Sequence, residues 1–428
     1  MSDSVPADLF PRILSGFTPP PGTIKRNYED FLVEEIPLYE ASGEGTHIYF
    51  LVEKMGISTM QAVANLAQAL NVRRVDIGYA GMKDAKAVTR QWMSLEHVDP
   101  RRIESLDLSR IRILEVRKHR NKLKLGHLSG NRFLIKVRET DVDRLAVLQD
   151  ALAELSRRGA PNYFGGQRFG ARGDTWQSGR AIVRGTLEEA LDLVLGRPSS
   201  YDYGDIRRAR EQYDRGNFEA AMKAWPGVFH NERRALRFLA KHPNKRKKAF
   251  LSIDPSLRTF YVSAYQSYLF NMIVAARIPT GLDRLMEGDL AWLHRNEAVF
   301  TVENADLEQP RADAFEISPT GPLFGYRTSQ PGGAAGEMEA QLLASEGLTQ
   351  ESFRSEKLRV KGTRRPLRFQ PLDASIDLGA DDDGPYLELR FSLPRGCYAT
   401  SLLRELFVDP HEGAPDTEAA SGPLDSVD

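Results

Sequence analysis

The segment GYAGMKDAKAVTRQW, residues 78–92, contains the side chains best suited to chemistry in this 428-residue chain. Its glycines let the backbone bend tightly and let a substrate approach, and Asp84 follows them. An aspartate carboxylate can act as a covalent nucleophile at a sugar or base carbon. Lys83 and Arg90 could favour the ionised carboxylate and hold a nearby phosphate. Glycine-flanked Lys-Asp pairs are also common in surface turns, so on residue types alone the surface turn is the commoner explanation.

A second segment, NYFGGQRFG, combines residue types that recognise nucleic-acid bases. Asn162 offers an amide for a base edge, Phe164 an aromatic ring for stacking, and Arg168 a guanidinium for a phosphate. Phe31 in EDFLVEE and Tyr398 in RGCYATS are two more aromatic residues beside turn-forming residues. Taken singly, each of these aromatic residues is more typical of a hydrophobic core than of a ligand site.

The net charge of −1 hides two basic clusters. Residues 110–138 contain ten lysines and arginines and one glutamate, and residues 231–250 contain eight and one. The segment from residue 408 to the C-terminus carries acidic residues and no lysine or arginine, which balances the total. Two dense clusters favour a polyanionic partner, RNA or DNA, over the alternative that each is a solvated face. The candidate phosphate contacts in the first cluster are Lys118, Arg120, Lys122 and Lys124.

Other common functional sites are absent from the sequence. It contains no P-loop, no dinucleotide-binding glycine fingerprint, no HExxH and no GxSxG. Its eight histidines lack paired ligand spacing, and Cys397 is the only cysteine, so we expect neither a metal site nor a disulfide. Glu34 and Glu35 are adjacent on a predicted strand and should point to opposite faces. The lack of a long apolar run and of a secretory signal favours a cytoplasmic protein without a membrane span.

Periodicity predicts the elements that must position these residues. In the N-terminal third, strand and helix patterns alternate, and basic and apolar residues alternate in two of the strands. Helical patterns dominate the first half of the middle section, after which YLELRFSLP is a strand that could rejoin the N-terminal sheet. The simplest architecture is a mixed α+β domain interrupted by a large insertion. The predicted strands are 47–53, 110–116, 132–138 and 386–394, and the predicted helices include 58–70 with a Ser58 or Thr59 cap, 141–158 and 261–278.

Taken together, these segments resemble the TruD family of tRNA pseudouridine synthases. The resemblance covers nearly the whole chain except its ends and parts of the middle, and GMKDAKAVT and NYFGGQRFG are its most specific motifs. The matching stretches, in chain order, are EDFLVEE, GEGTHIYFLVEKMGIST, GYAGMKDAKAVTRQW, KHRNKLKLGHLSGN, NYFGGQRFG, NKRKKAFLSI, SAYQSYLFN and LPRGCYATSLLRELF.

The resemblance implies a pseudouridine synthase fold of the α+β class. Its catalytic domain has a mixed, largely antiparallel sheet and is interrupted by a large α/β insertion, the TRUD domain. One alternative is that the helix over 258–278 packs on the catalytic domain. The expected domains are 1–160 and 373–408 for the two parts of the catalytic domain, 161–372 for the insertion, and 409–428 for a disordered acidic tail.

The resemblance also implies the site. The aspartate of the family's GxKD motif is catalytic and corresponds to Asp84, while Phe31, Asn162 and Tyr398 correspond to substrate-binding positions. Lys25 matches a basic position near the family's active site. Tyr398 is a departure, because the family usually has phenylalanine there, and its added hydroxyl needs water or a polar partner. No metal or organic cofactor is implied, the partner is tRNA, and we expect a monomer.

The implied reaction isomerises uridine to pseudouridine, at uridine-13 in the D arm of tRNA, after the base is flipped out of the RNA. One rival is a non-catalytic RNA-binding protein on the same scaffold, which should have lost the carboxylate that Asp84 supplies. A second rival is a glycosidase that releases a base, but such enzymes usually employ two carboxylates.

Overall fold

The computed structural model describes residues 10–355 and 359–412. In that part of the chain the strands are β1 Pro21–Ile24, β2 Phe31–Pro37, β3 His47–Met55, β4 Gly78–Tyr79, β5 Val88–Glu96, β6 Ile111–His119, β7 Leu128–Val137, β8 Ala160–Pro161, β9 Leu290–Leu293, β10 Ala298–Thr301, β11 Ile317–Leu323, β12 Thr363–Pro366, β13 Arg368–Phe369, β14 Leu372–Asp381, β15 Gly384–Pro394 and β16 Val408–Glu412. The helices are α1 Thr59–Leu70, α2 Pro100–Glu104, α3 Leu145–Arg158, α4 Thr175–Val183, α5 Leu187–Leu195, α6 Gly204–Asp214, α7 Phe218–Ala224, α8 His230–Lys241, α9 Arg246–Leu251, α10 Pro255–Arg277, α11 Ala305–Asp313, α12 Gly333–Ser345 and α13 Ala399–Leu406.

Contacts between these elements divide the described chain into two compact units. The first, which we call the sheet unit, consists of residues 14–160 and 369–412. The second, the helical unit, consists of residues 10–13 together with the described residues of 161–368.

The sheet unit is organised by one mixed sheet with the strand order β14-β15-β7-β2-β5-β3-β6, and β4 pairs with β5. Most neighbouring strands are antiparallel, whereas β2 and β5 are parallel. The C-terminal strand β15 pairs with β7 from Leu387 opposite Val137 to Pro394 opposite Gly130. This pairing confirms that the strand around 386–394 rejoins the N-terminal sheet, and the mixed sheet confirms the α+β class.

Helix α1 covers one face of this sheet and begins where the sequence predicts. The Ser58 side chain accepts a hydrogen bond from the backbone N–H of Gln61, which satisfies one of the orphan donors of the first turn. Helical spacing predicts a buried stripe of Met60, Val63, Ala64, Ala67 and Leu70, and this prediction was partly wrong, because Met60 is exposed and Ala64 is half-buried. The buried face, which packs on apolar side chains of β3 and β5, consists of Ala62, Val63, Leu66, Ala67 and Leu70.

The helical unit is built around α10, which packs against α4, β11 and α12 of the same unit. The predicted helix over 261–278 is confirmed but starts earlier, because Pro255 suits the first helical position and Asp254 accepts a hydrogen bond from Ser256 N. Gly179 on α4 permits the close approach to α10, since an added Cβ would lie 2.0 Å from the carbonyl oxygen of Tyr261. A four-stranded sheet in the order β10-β9-β11-β12 completes this unit.

The end of the described chain adds a strand. β16 pairs in parallel with β1, so residues 409–412, which the sequence analysis places in the acidic tail, belong to this strand. Residues 413–428 of the expected tail lie outside the described residues. Among the residues that are described, no helix has both the length and the apolar composition that crossing a membrane requires.

Candidate active site

The loop between β4 and β5 carries Asp84. Gly78 at its start is fixed by close packing, because an added Cβ would lie 2.3 Å from the carbonyl oxygen of Leu123 and 2.6 Å from Ser94 Oγ. No side chain fits at such distances, so glycine is required there. Gly81 is less constrained, since its nearest neighbour would be Lys83 Nζ at 3.4 Å.

The Asp84 carboxylate lies beside a buried cation. Lys25 Nζ is 3.8 Å from Asp84 Oδ2, and the two side chains are 3% and 37% exposed respectively. The lysine therefore attracts the carboxylate from the protein side while the other side of the carboxylate faces solvent. Lys25 also has a φ of 55°, in the left-handed region that non-glycine residues rarely occupy. Strained backbone of this kind is often found at functional sites, where surrounding packing maintains it.

Phe31 lies beneath this lysine. The Lys25 ammonium is 4.6 Å from the centroid of the Phe31 ring, which is within cation–π range. The ring is 2% exposed and meets Phe133 edge to face at 6.2 Å. The Phe31 ring thus packs against Lys25. Because the ring is buried, neither of its faces is accessible for stacking on a base.

The expected role of Lys83 beside Asp84 is wrong, and the Arg90 side chain is engaged by a carboxylate other than Asp84. Lys83 Nζ turns into the core and bonds Glu35 Oε2 at 2.7 Å, with both side chains buried. Arg90 pairs with Glu53 at 2.8 Å. Successive side chains in a bend point in different directions, so Lys83 cannot be placed beside Asp84 from its sequence position alone.

Glu35 and its neighbour Glu34 point to opposite faces of β2, as the sequence predicts. Glu35 is buried, and burial raises the pKa of its carboxyl, an effect that the Lys83 ammonium opposes. Its other oxygen accepts a hydrogen bond from the backbone N–H of Trp92 at 3.3 Å. Glu34 is half-buried and lies 3.7 Å from Arg132. The two carboxylates therefore do not form a catalytic pair.

Lys54 on β3 is a second buried lysine, which the sequence analysis missed. Its Nζ donates to the carbonyl oxygens of Ile57 at 2.7 Å, Asp84 at 2.8 Å and Lys83 at 3.5 Å. Burial lowers the pKa of Lys54 to about 8, although the Asp84 charge opposes this change and the Lys83 charge adds to it. The available sequence signal was a lysine at an inward-facing position of the apolar strand HIYFLVEKM.

Tyr398 belongs to the sheet unit and precedes α13 as its N-cap residue. Its side chain is half-buried, and its carbonyl oxygen accepts from Ser401 N at 3.1 Å. The turn before it is held by Cys397 N bonding Pro394 O at 3.3 Å and by Arg395 N bonding Ser129 O at 3.0 Å. These hydrogen bonds fix the backbone of the turn at the end of β15, which leads into Tyr398.

Asn162 and Phe164 belong to the helical unit. Asn162 is buried, and its amide nitrogen donates to Pro366 O at 2.8 Å while its oxygen accepts from Arg365 at 2.5 Å. The Phe164 ring is buried against Phe270 at 5.6 Å, with the Arg365 guanidinium 4.3 Å from its centroid. Polar and aromatic side chains of NYFGGQRFG thus hold their own unit together.

The proposed phosphate contacts differ in how their charges are engaged. Among the described residues, Lys118 and Lys124 are exposed and have no ion-pair partner. Arg120 pairs with Glu44, and Lys122 is half-buried with its Nζ donating to Val75 O at 2.7 Å. The Arg168 guanidinium bonds the hydroxyls of Ser263 and Ser267 on α10.

Within residues 10–355 and 359–412, no three histidine, cysteine, aspartate or glutamate side chains are grouped as metal ligands would be.

Comparison with known proteins gives one consistent family. The family model for tRNA pseudouridine synthase D (TruD) matches residues 14–406. Proteins named tRNA pseudouridine synthase D from Geobacter metallireducens and Geobacter sulfurreducens are 48% and 45% identical over 396 and 394 residues, each covering 92% of this chain and 96% or 95% of the relative. A crystal structure from Methanosarcina mazei, assigned as tRNA pseudouridine synthase D, matches with a TM-score of 0.81 and 29% identity, covering 94% of this chain and 98% of that one.

Proposed function

Because the chain belongs to the TruD family of tRNA pseudouridine synthases, we propose that it isomerises uridine-13 in the D arm of tRNA, with Asp84 as the catalytic carboxylate. The observation that carries the proposal is the position of Asp84, half-exposed in a loop of the sheet unit with buried Lys25 at 3.8 Å. We assign the sheet unit as the catalytic domain and the helical unit as the TRUD insertion. The competing proposal is an RNA-binding protein without activity.

The reaction rearranges one nucleotide without adding or removing atoms. The bond from ribose C1′ to uracil N1 breaks, the base turns, a C1′–C5 bond forms, and the proton on C5 is lost while N1 gains one. Asp84 attacks or assists cleavage at the ribose and then accepts the C5 proton. A uridine stacked in RNA is out of reach of a side chain, so the base must first be extruded.

The residues around Asp84 have complementary roles. Lys25 orients the carboxylate, and the buried Phe31 ring fixes Lys25. Of the two aromatic candidates in the sheet unit, half-buried Tyr398 is the better one for stacking on uracil. A substrate-binding role for Asn162 rests on the family resemblance, and one for Phe164 rests on its residue type.

Affinity for tRNA comes from exposed cations. Lys118 and Lys124 extend from the sheet unit, whereas the engaged side chains of Arg120, Lys122 and Arg168 are less suited to bind phosphate. In the helical unit, Lys241, Lys245, Lys247 and Lys248 are exposed around the end of α8 and in α9. Binding should therefore weaken as salt rises. We further propose that the protein acts in the cytoplasm as a monomer, with neither a metal nor an organic cofactor.

Mapping of pseudouridine in an unmodified tRNA transcript, after incubation with the protein, tests the function. We expect one modified position, uridine-13. Free uracil in the supernatant would identify a glycosidase. Bound but unmodified tRNA would support the RNA-binding alternative and overturn the proposed activity.

A further inference from the structure

We propose that Lys54 is a positioning residue of the catalytic loop, whose buried ammonium fixes the main chain at Asp84 and thereby aims the carboxylate. This inference rests on the proposed function, in which the Asp84 carboxylate reacts with the ribose. Lys54 itself has no assigned role in substrate contact.

The Lys54 ammonium is a cation surrounded by backbone carbonyl oxygens. A lysine ammonium has three N–H donors. Those of Lys54 are directed at three carbonyl oxygens from two chain segments: Ile57 in the β3–α1 turn, and Lys83 and Asp84 in the loop, at 2.7, 3.5 and 2.8 Å. The Lys54 side chain is fully buried, so water does not compete for these oxygens. The ammonium therefore ties the loop to the strand from which Lys54 extends.

The main chain of Asp84 depends on this tie. Among the described residues, Lys54 is the only hydrogen-bond partner of the Asp84 main chain. The other hydrogen bonds of this part of the loop involve the main chain of Lys83 and Gly81, not that of Asp84. Lys83 N donates to Thr59 Oγ1 at 2.9 Å, and Gln91 Nε2 donates to Gly81 O at 3.1 Å. Loss of the ammonium would free the main chain of the residue that carries the proposed catalytic carboxylate.

Burying an ammonium group at this position lowers the stability of the folded state. The hydrogen-bond partners of Lys54 are neutral carbonyls, and apolar residues occupy the other inward positions of β3, for example Phe50 and Val52. Burying a charge without a close opposite charge is costly, and an apolar side chain is often tolerated or preferred on stability grounds alone. The charged groups that face Lys54 are Asp84 and Lys83, and the latter is neutralised by Glu35. A lysine here is better explained by the loop than by packing.

The test compares Lys54→Met with the wild type in the full chain. We expect the single-turnover rate of pseudouridine formation to fall by about tenfold to hundredfold, because a misplacement near 1 Å can cost about that much. The tRNA dissociation constant should stay close to wild type, and the variant should remain folded under the assay conditions. Lys54→Gln, which keeps donors for part of the set, should have an intermediate rate.

Lys136→Met is the matched control, because Lys136 is a sheet lysine whose Nζ bonds Asp381 at 2.7 Å, outside the catalytic loop. Its rate should equal that of the wild type. Wild-type rates in both Lys54 variants would overturn the proposal, and so would a rate loss explained entirely by unfolded protein.

Hydrogen exchange of the amides in 82–88 supplies a readout that does not need activity. Faster exchange in Lys54→Met than in the wild type and in Lys136→Met is expected, and unchanged exchange would contradict the positioning role. If the wild type makes no pseudouridine, the proposed function fails, whereas the exchange result still decides whether Lys54 holds the loop.

Discussion

The Asp84 loop, between β4 and β5, and the NYFGGQRFG segment are the two most specific motifs of this chain, yet their polar side chains are used in opposite ways. In the loop, the Asp84 carboxylate lies 3.8 Å from buried Lys25 and is 37% exposed, and the Asp84 carbonyl oxygen accepts a hydrogen bond from buried Lys54. In NYFGGQRFG, the amide of Asn162 and the guanidinium of Arg168 are bonded within their own unit. A specific motif therefore marks residues under constraint, and only their contacts show which of them face a substrate.

The largest effect should come from Asp84→Asn, which keeps the shape of the side chain and removes the nucleophile and base. We expect the single-turnover rate to fall by about 10³-fold or more, with tRNA affinity nearly unchanged. Asp76→Asn is the matched control, since Asp76 pairs with exposed Arg73 and should tolerate the change. Appreciable activity in Asp84→Asn would break the contrast between the two motifs.

Lys54 should leave a signature in the pH dependence of stability. Its pKa is about 8 in the folded protein and 10.5 in the unfolded chain. Between these values the unfolded state holds the proton and the folded state does not, so stability rises with pH. The wild type should therefore gain up to about 3 kcal/mol relative to Lys54→Met from pH 8 to pH 10.5, measured by urea unfolding. A constant difference would show that the ammonium is not buried as described.

Two substitutions of Lys25 distinguish the effect of its charge on the rate from the effect of its backbone conformation on stability. Both Lys25→Ala and Lys25→Gly remove the cation beside Asp84, and the rate should fall by about tenfold or more in each. The φ of 55° favours glycine, so Lys25→Gly should be more stable than Lys25→Ala by about 1 kcal/mol in urea unfolding. Equal rates in the wild type and both variants would remove Lys25 from the mechanism.

The smallest expected effect is a change in the salt dependence of tRNA binding when candidate phosphate contacts are removed. Lys118→Ala combined with Lys124→Ala should lower the slope of log affinity against log salt by about 1 to 2, because each exposed cation releases about one counterion. Arg168→Ala should leave that slope unchanged and lower the unfolding midpoint, since Arg168 bonds Ser263 and Ser267. A reduced slope for Arg168→Ala would restore the original assignment of Arg168 to phosphate binding.

Much of the fold was predictable because it depends on local patterns. The cap at Ser58, the strand β3 and the return of β15 to the sheet could each be derived from residue types and spacing. The start of α10 and the inward face of α1 were less accurate, because proline at a first turn and a partly apolar surface weaken the periodicity signal.

The site was predictable only in part. Asp84 and Lys25 came from the family resemblance, and the structure places them 3.8 Å apart. The ion pair of Glu35 with Lys83 and the contact of Lys54 with the carbonyl oxygen of Asp84 join residues about 30 to 50 positions apart in the chain. Such contacts depend on which strands are neighbours, and a single sequence does not contain that information.

Release of tritium from tRNA labelled at C5 of uridine distinguishes isomerisation of the base from binding or base release, because the C5–H bond breaks only if the base is rejoined through carbon. The prediction is about one equivalent of tritium per tRNA with the wild-type protein, and none when uridine-13 is replaced by cytidine or when Asp84→Asn is used. Tritium release that persists with cytidine at position 13, or that is absent from the unaltered tRNA, would contradict it.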